Sequence, residues 1–319
     1  MAASGQHAEL QCYTDDAQAI RWSVPLPTRD ILNINRDMQD RIWITYPGTT
    51  SREGKVGVWT SDGRLIKTMT TRGRPEACLV FTHDRGFILC ALNGFGGAVD
   101  VVDMDRLELV ATWPVPPPEP RMAYLLTACA ISADNLLISG MTLGPDDNRR
   151  YAILSLFDLK TGERMWQSPP MEGVDIWSIL TYRDGFLMLN VASDESDENP
   201  PADLIFMDAN RRLERWSVAR APLWGTLQGD TLFLYHNPAW NSLRDTGWRL
   251  ISRTDLRNHL VEVLPLPDYF KILDMLQVDN SIFLSNETSV GQDAGVYRLA
   301  WADRRITHIR RVPGMVRMR

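Results

Sequence analysis

Residues 74–115 read RPEACLVFTHDRGFILCALNGFGGAVDVVDMDRLELVATWPV, two hairpins in succession. The first joins the apolar runs CLVF and GFILCAL through a tight polar turn. The second alternates apolar and polar positions, as a strand with one wet face does, and it stops at proline, which cannot donate to a ladder. Five more first hairpins are written the same way: ILNINRDMQDRIWITYP, TACAISADNLLISGM, SILTYRDGFLMLN, LWGTLQGDTLFLYHN and ILDMLQVDNSIFLSNE. All six carry Asp in the turn, at Asp40, Asp84, Asp134, Asp184, Asp230 and Asp279, at intervals of 44 to 50 residues. Asp, Asn and Gly suit such turns because they accept unusual backbone angles and bond back to the chain. Each first hairpin is followed by a more amphipathic second one, from VGVWTSDGRLIKTM to VYRLAWADRRITHIRRV.

Four strands every 44 to 50 residues is the blade unit of a β-propeller. One four-stranded sheet cannot cover its own two faces, but sheets arranged radially cover one another. The reading is therefore an all-β propeller of four-stranded antiparallel blades, filling residues 1–319 as a single domain. The apolar first hairpins suit the inner strands, and the charged second hairpins suit the rim. A solenoid or β-sandwich is the rival, disfavoured by irregular long loops at one fixed position in every repeat. Residues 1–28 form an extra hairpin of the second kind, LQCYTDDAQAIRWSVPLP, without a first hairpin before it. Residues 29–315 hold six repeats, and 316–319 are a tail. Six blades are favoured, and seven stay open if the extra hairpin is an incomplete blade.

The unit GRPEACLVFTHDRGFILCAL with VDVVDMDRLELVATWPVP resembles a YVTN-type propeller repeat, although no blade spells that tetrapeptide. VGVWTSDGRLIKTM is similar to NHL-type blades, and SLFDLKTGERMW resembles a quinoprotein-type blade. These resemblances imply the fold; the families themselves include enzymes, scaffolds and binding modules.

Composition narrows the class of function. A net charge of −6 and a pI near 5.5 argue against a general nucleic-acid binder. The opening MAASGQHAEL shows no secretory pattern and no run is long enough to span a bilayer, so the expected location is the cytoplasm. A leader removed upstream would leave the same reading. Cys12, Cys78, Cys90 and Cys129 lie far apart without a CxxC pair and read as small buried hydrophobes.

The segments joining second to third strands are long and varied: YPGTTSREGK, NGFGG, TLGPDDNRR, ASDESDENPPAD, HNPAWNSLRDTG and NETSVGQDAG. Variable loops on a rigid scaffold are where binding concentrates, so the functional face is expected there, near the central channel. Asn93, Asn190, Asn237 and Asn286 end second strands at matching places, with Tyr46 in the like place of the first repeat. They read either as a polar crown orienting a ligand or as ordinary strand-ending residues. Trp240 could cap a pocket or tuck against a blade. His236, the one histidine on that face, reads either as a lone base or as a satisfied structural histidine, and His236 and Glu287 are the catalytic candidates. The acidic run at 194–203 lacks the spacing of a calcium loop, and the basic C-terminus reads as a solvated rim.

Two functional classes follow. One is a module binding a small molecule or a protein at the long-loop face. The other is an enzyme with its pocket at the channel mouth. That second reading is similar to the lactonase and gluconolactonase group, which implies a divalent cation such as calcium; a metal-free cyclase or isomerase is its variant.

Overall fold

The computed structural model describes residues 8–13, 19–28, 30–50, 53–92, 96–118, 124–143, 150–190, 203–217, 222–236, 249–267, 270, 272–278, 281–286 and 295–311. Every regular element among them is a strand. Six antiparallel sheets follow one another along the chain, each built from consecutive strands in the order first, second, third, fourth. The protein is thus an all-β six-bladed β-propeller.

Blade 1 is Asn33–Arg36, Ile42–Pro47, Gly54–Trp59 and Leu65–Thr71. Blade 2 is Arg74–Phe81, Arg85–Ala91, Gly97–Asp103 and Glu108–Val115. Blade 3 is Tyr124–Ser132, Asn135–Leu143, Arg150–Asp158 and Arg164–Gln167, and a fifth short strand, Met171–Glu172, also pairs with its third. Blade 4 is Ile176–Tyr182, Gly185–Asn190, Asp203–Met207 and Leu213–Ser217. Blade 5 is Pro222–Gln228, Thr231–His236, Arg249–Asp255 and Leu260–Leu266. Blade 6 is Ile272–Val278, Ser281–Asn286, Gly295–Ala300 and Arg305–Arg311.

The chain divides into two compact units, Met1–Ile131 with Arg319, and Ser132–Met318. In the first unit the extra hairpin, Glu9–Tyr13 with Ile20–Pro25, is a separate two-stranded sheet. It packs on one face of blade 1: Leu10 and Leu26 meet Ile44, Tyr46 and Trp59, and the Trp22 indole N–H donates to the Ser61 carbonyl at 3.0 Å. Gly57 makes room for this contact, because a Cβ there would lie 2.2 Å from the Trp59 ring. The other face of blade 1 presents Trp43, Val56 and Val58 to Leu79, Ile88 and Val102 of blade 2. Side chains alternate along a strand, so one sheet serves two cores. The extra hairpin therefore does what a neighbouring blade would do for this face, without supplying a seventh blade.

In the second unit Leu187, Leu189 and Leu204 of blade 4 pack with Leu232 and Leu234 of blade 5. On the opposite face of blade 5, Phe233, Tyr235 and Ile251 pack with Ile282, Leu284 and Leu299 of blade 6.

Two expectations need refinement. Wetness belongs to the fourth strands alone: Leu65–Thr71 and Leu260–Leu266 are largely exposed, whereas Gly97–Asp103 and Arg150–Asp158 are mostly buried. In blades 1 and 5 adjoining sheets cover both faces, so the alternation of their third strands in sequence is weak. The turn aspartates also act differently from expectation. Among the described turn aspartates Asp40 alone takes a positive φ itself; in blades 3, 4 and 5 the residue before the Asp does, at Ala133, Arg183 and Gly229. Instead the backbone carbonyls of Asp84, Asp134 and Asp230 accept the amides of Met104, Leu159 and Leu256 at 2.9–3.0 Å, tying each first turn to the second turn of its blade.

Candidate functional site

The first strands of blades 4, 5 and 6 share an irregularity. Their ladders skip one residue, between Ile176 and Ser178, Pro222 and Trp224, and Ile272 and Asp274. Such a bulge turns the skipped residue out of the pleat. In blade 4 that residue is Trp177, 42% exposed although Val174, Asp175 and Ile176 just before it are buried.

The chain reaches this point through a short, well-determined path. Met171–Glu172 pairs with Tyr151 and Ala152 of the third strand of blade 3. Gly173 then turns at φ +67, where a side chain would be strained, and its N–H donates to the Arg150 carbonyl at 3.1 Å. Two residues on, the Asp175 backbone N–H donates to the Asn190 Oδ1 at 3.0 Å, and the Asp175 carboxylate accepts from Arg150 Nη1 at 3.0 Å.

Asp175 is 1% exposed and Asn190 3%, while the Arg150 side chain is 32% exposed. Burial pushes the Asp175 carboxyl above the ordinary carboxylate value; hydrogen bonding from the Trp177 indole, and then the Arg150 guanidinium, oppose that rise. The buried Asp175 carboxylate thus holds the partly exposed Arg150 guanidinium, and Trp177, two residues further along the chain, is exposed as well. A guanidinium beside an aromatic ring offers donors and a flat apolar face together, which suits an acceptor-bearing planar or extended ligand.

Register also orders the second-strand ends. Asn190, His236 and Asn286 are each the last residue of a second strand, opposite Ile176, Pro222 and Ile272. His236, one residue before Asn237, therefore fills the matching place in blade 5, which corrects the alignment on Asn237. By alternation His236 shares a face with Leu232 and Leu234, and Asn286 with Ile282 and Leu284. His236 is fully buried, its Nε2 lies 2.7 Å from Ser252 Oγ, and Ser252 is fully buried as well. This pair bonds the second and third strands of blade 5. Asn286 is 1% exposed. Tyr46, 5% exposed, sits in the core beneath the extra hairpin; burial raises its phenol, opposed by hydrogen bonding to Thr68. Asn93, Asn237, Trp240 and Glu287 lie outside the described residues, as does the acidic run except Asp203, whose carboxylate meets Arg215 Nη1 at 3.4 Å. Among the described residues no cluster of three or more His, Cys, Asp or Glu could hold a metal ion. No helix among them is long and apolar enough to cross a membrane.

Arg150 closes the loop TLGPDDNRR, so the sequence placed it beside the expected face without singling it out. Asp175 and Trp177 were missed. The available signal was a charged residue inside the apolar run VDIW, since a buried carboxylate demands a partner.

No family model matches the chain, and no curated protein matches it either. Solved structures do. The β-propeller domain of the Trilobed protease from Pyrococcus furiosus superposes with a TM-score of 0.65 at 11% identity, covering 98% of this chain and 93% of that one. The acylaminoacyl peptidase of Pyrococcus horikoshii gives 0.58 at 11% identity, covering 88% of this chain and 45% of the peptidase. At these identities the likeness is one of fold. It places the chain among the β-propellers.

Proposed function

We propose that this propeller is a recognition module that takes a small ligand or a protein segment at the end where second and third strands are joined. The observation that carries the reading is the Arg150–Asp175–Trp177 segment: a bulge exposes the Trp177 indole, and two residues before it the buried Asp175, with Asn190 behind it, holds the partly exposed Arg150 guanidinium at 3.0 Å. Orienting exposed aromatic and Arg side chains from a rigid, buried base is the arrangement of a binding hot spot. The long loops of the repeats leave the same end of their blades, which supports the same placement. A net charge of −6 agrees with a partner other than nucleic acid.

The test is a ligand-observed NMR screen of small carboxylic acids and short acidic peptides, each run with and without calcium. Probes that bind the parent protein are expected to lose at least about tenfold in affinity in Trp177→Ala, a loss typical of a contact worth about 1.4 kcal/mol. They are expected to bind normally to Arg183→Ala, in the turn at the other end of blade 4. Probes that bind Trp177→Ala as well as the parent, or that need the Arg183 end, would refute the placement. Turnover of a probe, or binding only with calcium, would move the assignment to a cation-assisted enzyme.

A further inference from the structure

Cys78 and Cys129 are 51 residues apart in sequence, yet they meet on the first strands of blades 2 and 3, both within the first compact unit. The ladder joining the first two strands of blade 2 is interrupted between Pro75 and Leu79, so Cys78 is released from pairing with its own blade. Its thiol turns to the adjoining strand instead. Cys78 Sγ donates to the Cys129 carbonyl at 3.2 Å and accepts from the Cys129 N–H at 3.1 Å. One sulfur touching both the amide and the carbonyl of the other cysteine is held against the very residue that carries the second thiol.

We propose that Cys78 and Cys129 form a redox-active dithiol that closes to a reversible disulfide when a small disulfide oxidant is present. Cys78 is half-buried and reachable, whereas Cys129 is 5% exposed, which sets the order of events. The Cys78 thiolate attacks one sulfur of the oxidant, breaking its S–S bond and releasing one small thiol. Cys129 then attacks the Cys78 sulfur of the mixed disulfide; its proton leaves with the second small thiol. Two protein thiols are oxidised and one oxidant disulfide is reduced to two thiols, so electrons and protons balance.

The surroundings bear on rate. Burial, and then hydrogen bonding with Cys78, hold the Cys129 thiol well above its ordinary value, so the second step is the slow one and speeds up as pH rises. The remaining cysteines are placed otherwise. Buried Cys90 meets the Ile88 carbonyl at 3.7 Å and the Asp100 carboxylate at 3.8 Å, and burial and that charge keep it protonated; Cys12 lies in the extra hairpin.

The test uses the whole chain, folded, with oxidised glutathione at mildly alkaline pH. Free thiols are then blocked, and intact mass and peptide mapping are read. The expected product carries two blocking groups where the reduced chain carries four, with the Cys78 and Cys129 peptides joined and both thiols restored by dithiothreitol. Cys129→Ser is expected to stop at a stable glutathione adduct on Cys78. If the parent chain keeps all four thiols, holds an uncrosslinked adduct, or joins a different pair, the proposal is overturned. The peptide map of the parent decides alone should the Cys129→Ser chain fail to fold.

Discussion

Replacing Arg150 by Met isolates the electrostatic base of the candidate site. The substitution keeps an apolar stem and removes the guanidinium that meets Asp175 at 3.0 Å. Asp175 is 1% exposed, so the carboxylate is left with the Trp177 indole and no cation. Breaking a fully buried ion pair from one side costs about 3–5 kcal/mol. Arg150 is itself about one-third exposed, and solvent there offsets part of the loss, so about 2–3 kcal/mol is expected near neutral pH. The pH dependence sharpens this expectation. Burial already raises the Asp175 carboxyl, so the folded chain holds that proton more tightly than the unfolded chain. The associated stability is full below the unfolded carboxylate value and declines as pH rises through the folded one. Arg150→Met moves the folded value further up, so its penalty is larger at pH 7 than at about pH 5. Adding Asp175→Asn removes the stranded charge and returns most of the lost stability. Urea unfolding of the parent, both single variants and the double variant, at both pH values, measures all of this. A loss under about 0.5 kcal/mol for Arg150→Met, or a double variant as weak as it, would refute the account.

Asp37→Ala tests the turn of blade 1, where one carboxylate accepts from the Gln39 and Arg41 amides, Arg41 Nε and the Trp43 indole at 2.7–2.9 Å. Stranding those buried donors is expected to cost about 3–5 kcal/mol in denaturant unfolding. Gly57→Val displaces the Trp59 ring and loosens the extra hairpin; the expected signs are a loss of about 1–3 kcal/mol and proteolytic cleavage near residues 8–28 ahead of global unfolding. Acid titration followed by thermal unfolding tests the second turns: Asp103, Asp158 and Asp255 lie below the ordinary carboxylate value chiefly because turn amides donate to them. Their contribution is present above the unfolded pKa and lost as pH falls through the folded values, so Asp158→Asn is expected to flatten the acid limb of the melting curve.

Repetition made the architecture legible from residues alone. Every repeat must bury two sheet faces and turn twice, so apolar runs and turn residues recur at one period, and strand order follows from chain order. The extra hairpin was legible as a pair lacking its first half. Its role was not, because covering one face of blade 1 depends on where Gly57 leaves space for Trp59.

The candidate site was read only to its neighbourhood. Local sequence decides which loops are long and which end of a blade they leave, because both are properties of consecutive strands. Meeting between blades is decided by register: a single skipped residue exposes Trp177, and Arg150 finds Asp175 across 25 residues of chain. The same holds for His236, which the sequence left open between a lone base and a satisfied structural histidine, and which the fold buries against Ser252. A one-residue change in pairing reverses which face a side chain takes, and no local pattern encodes that choice.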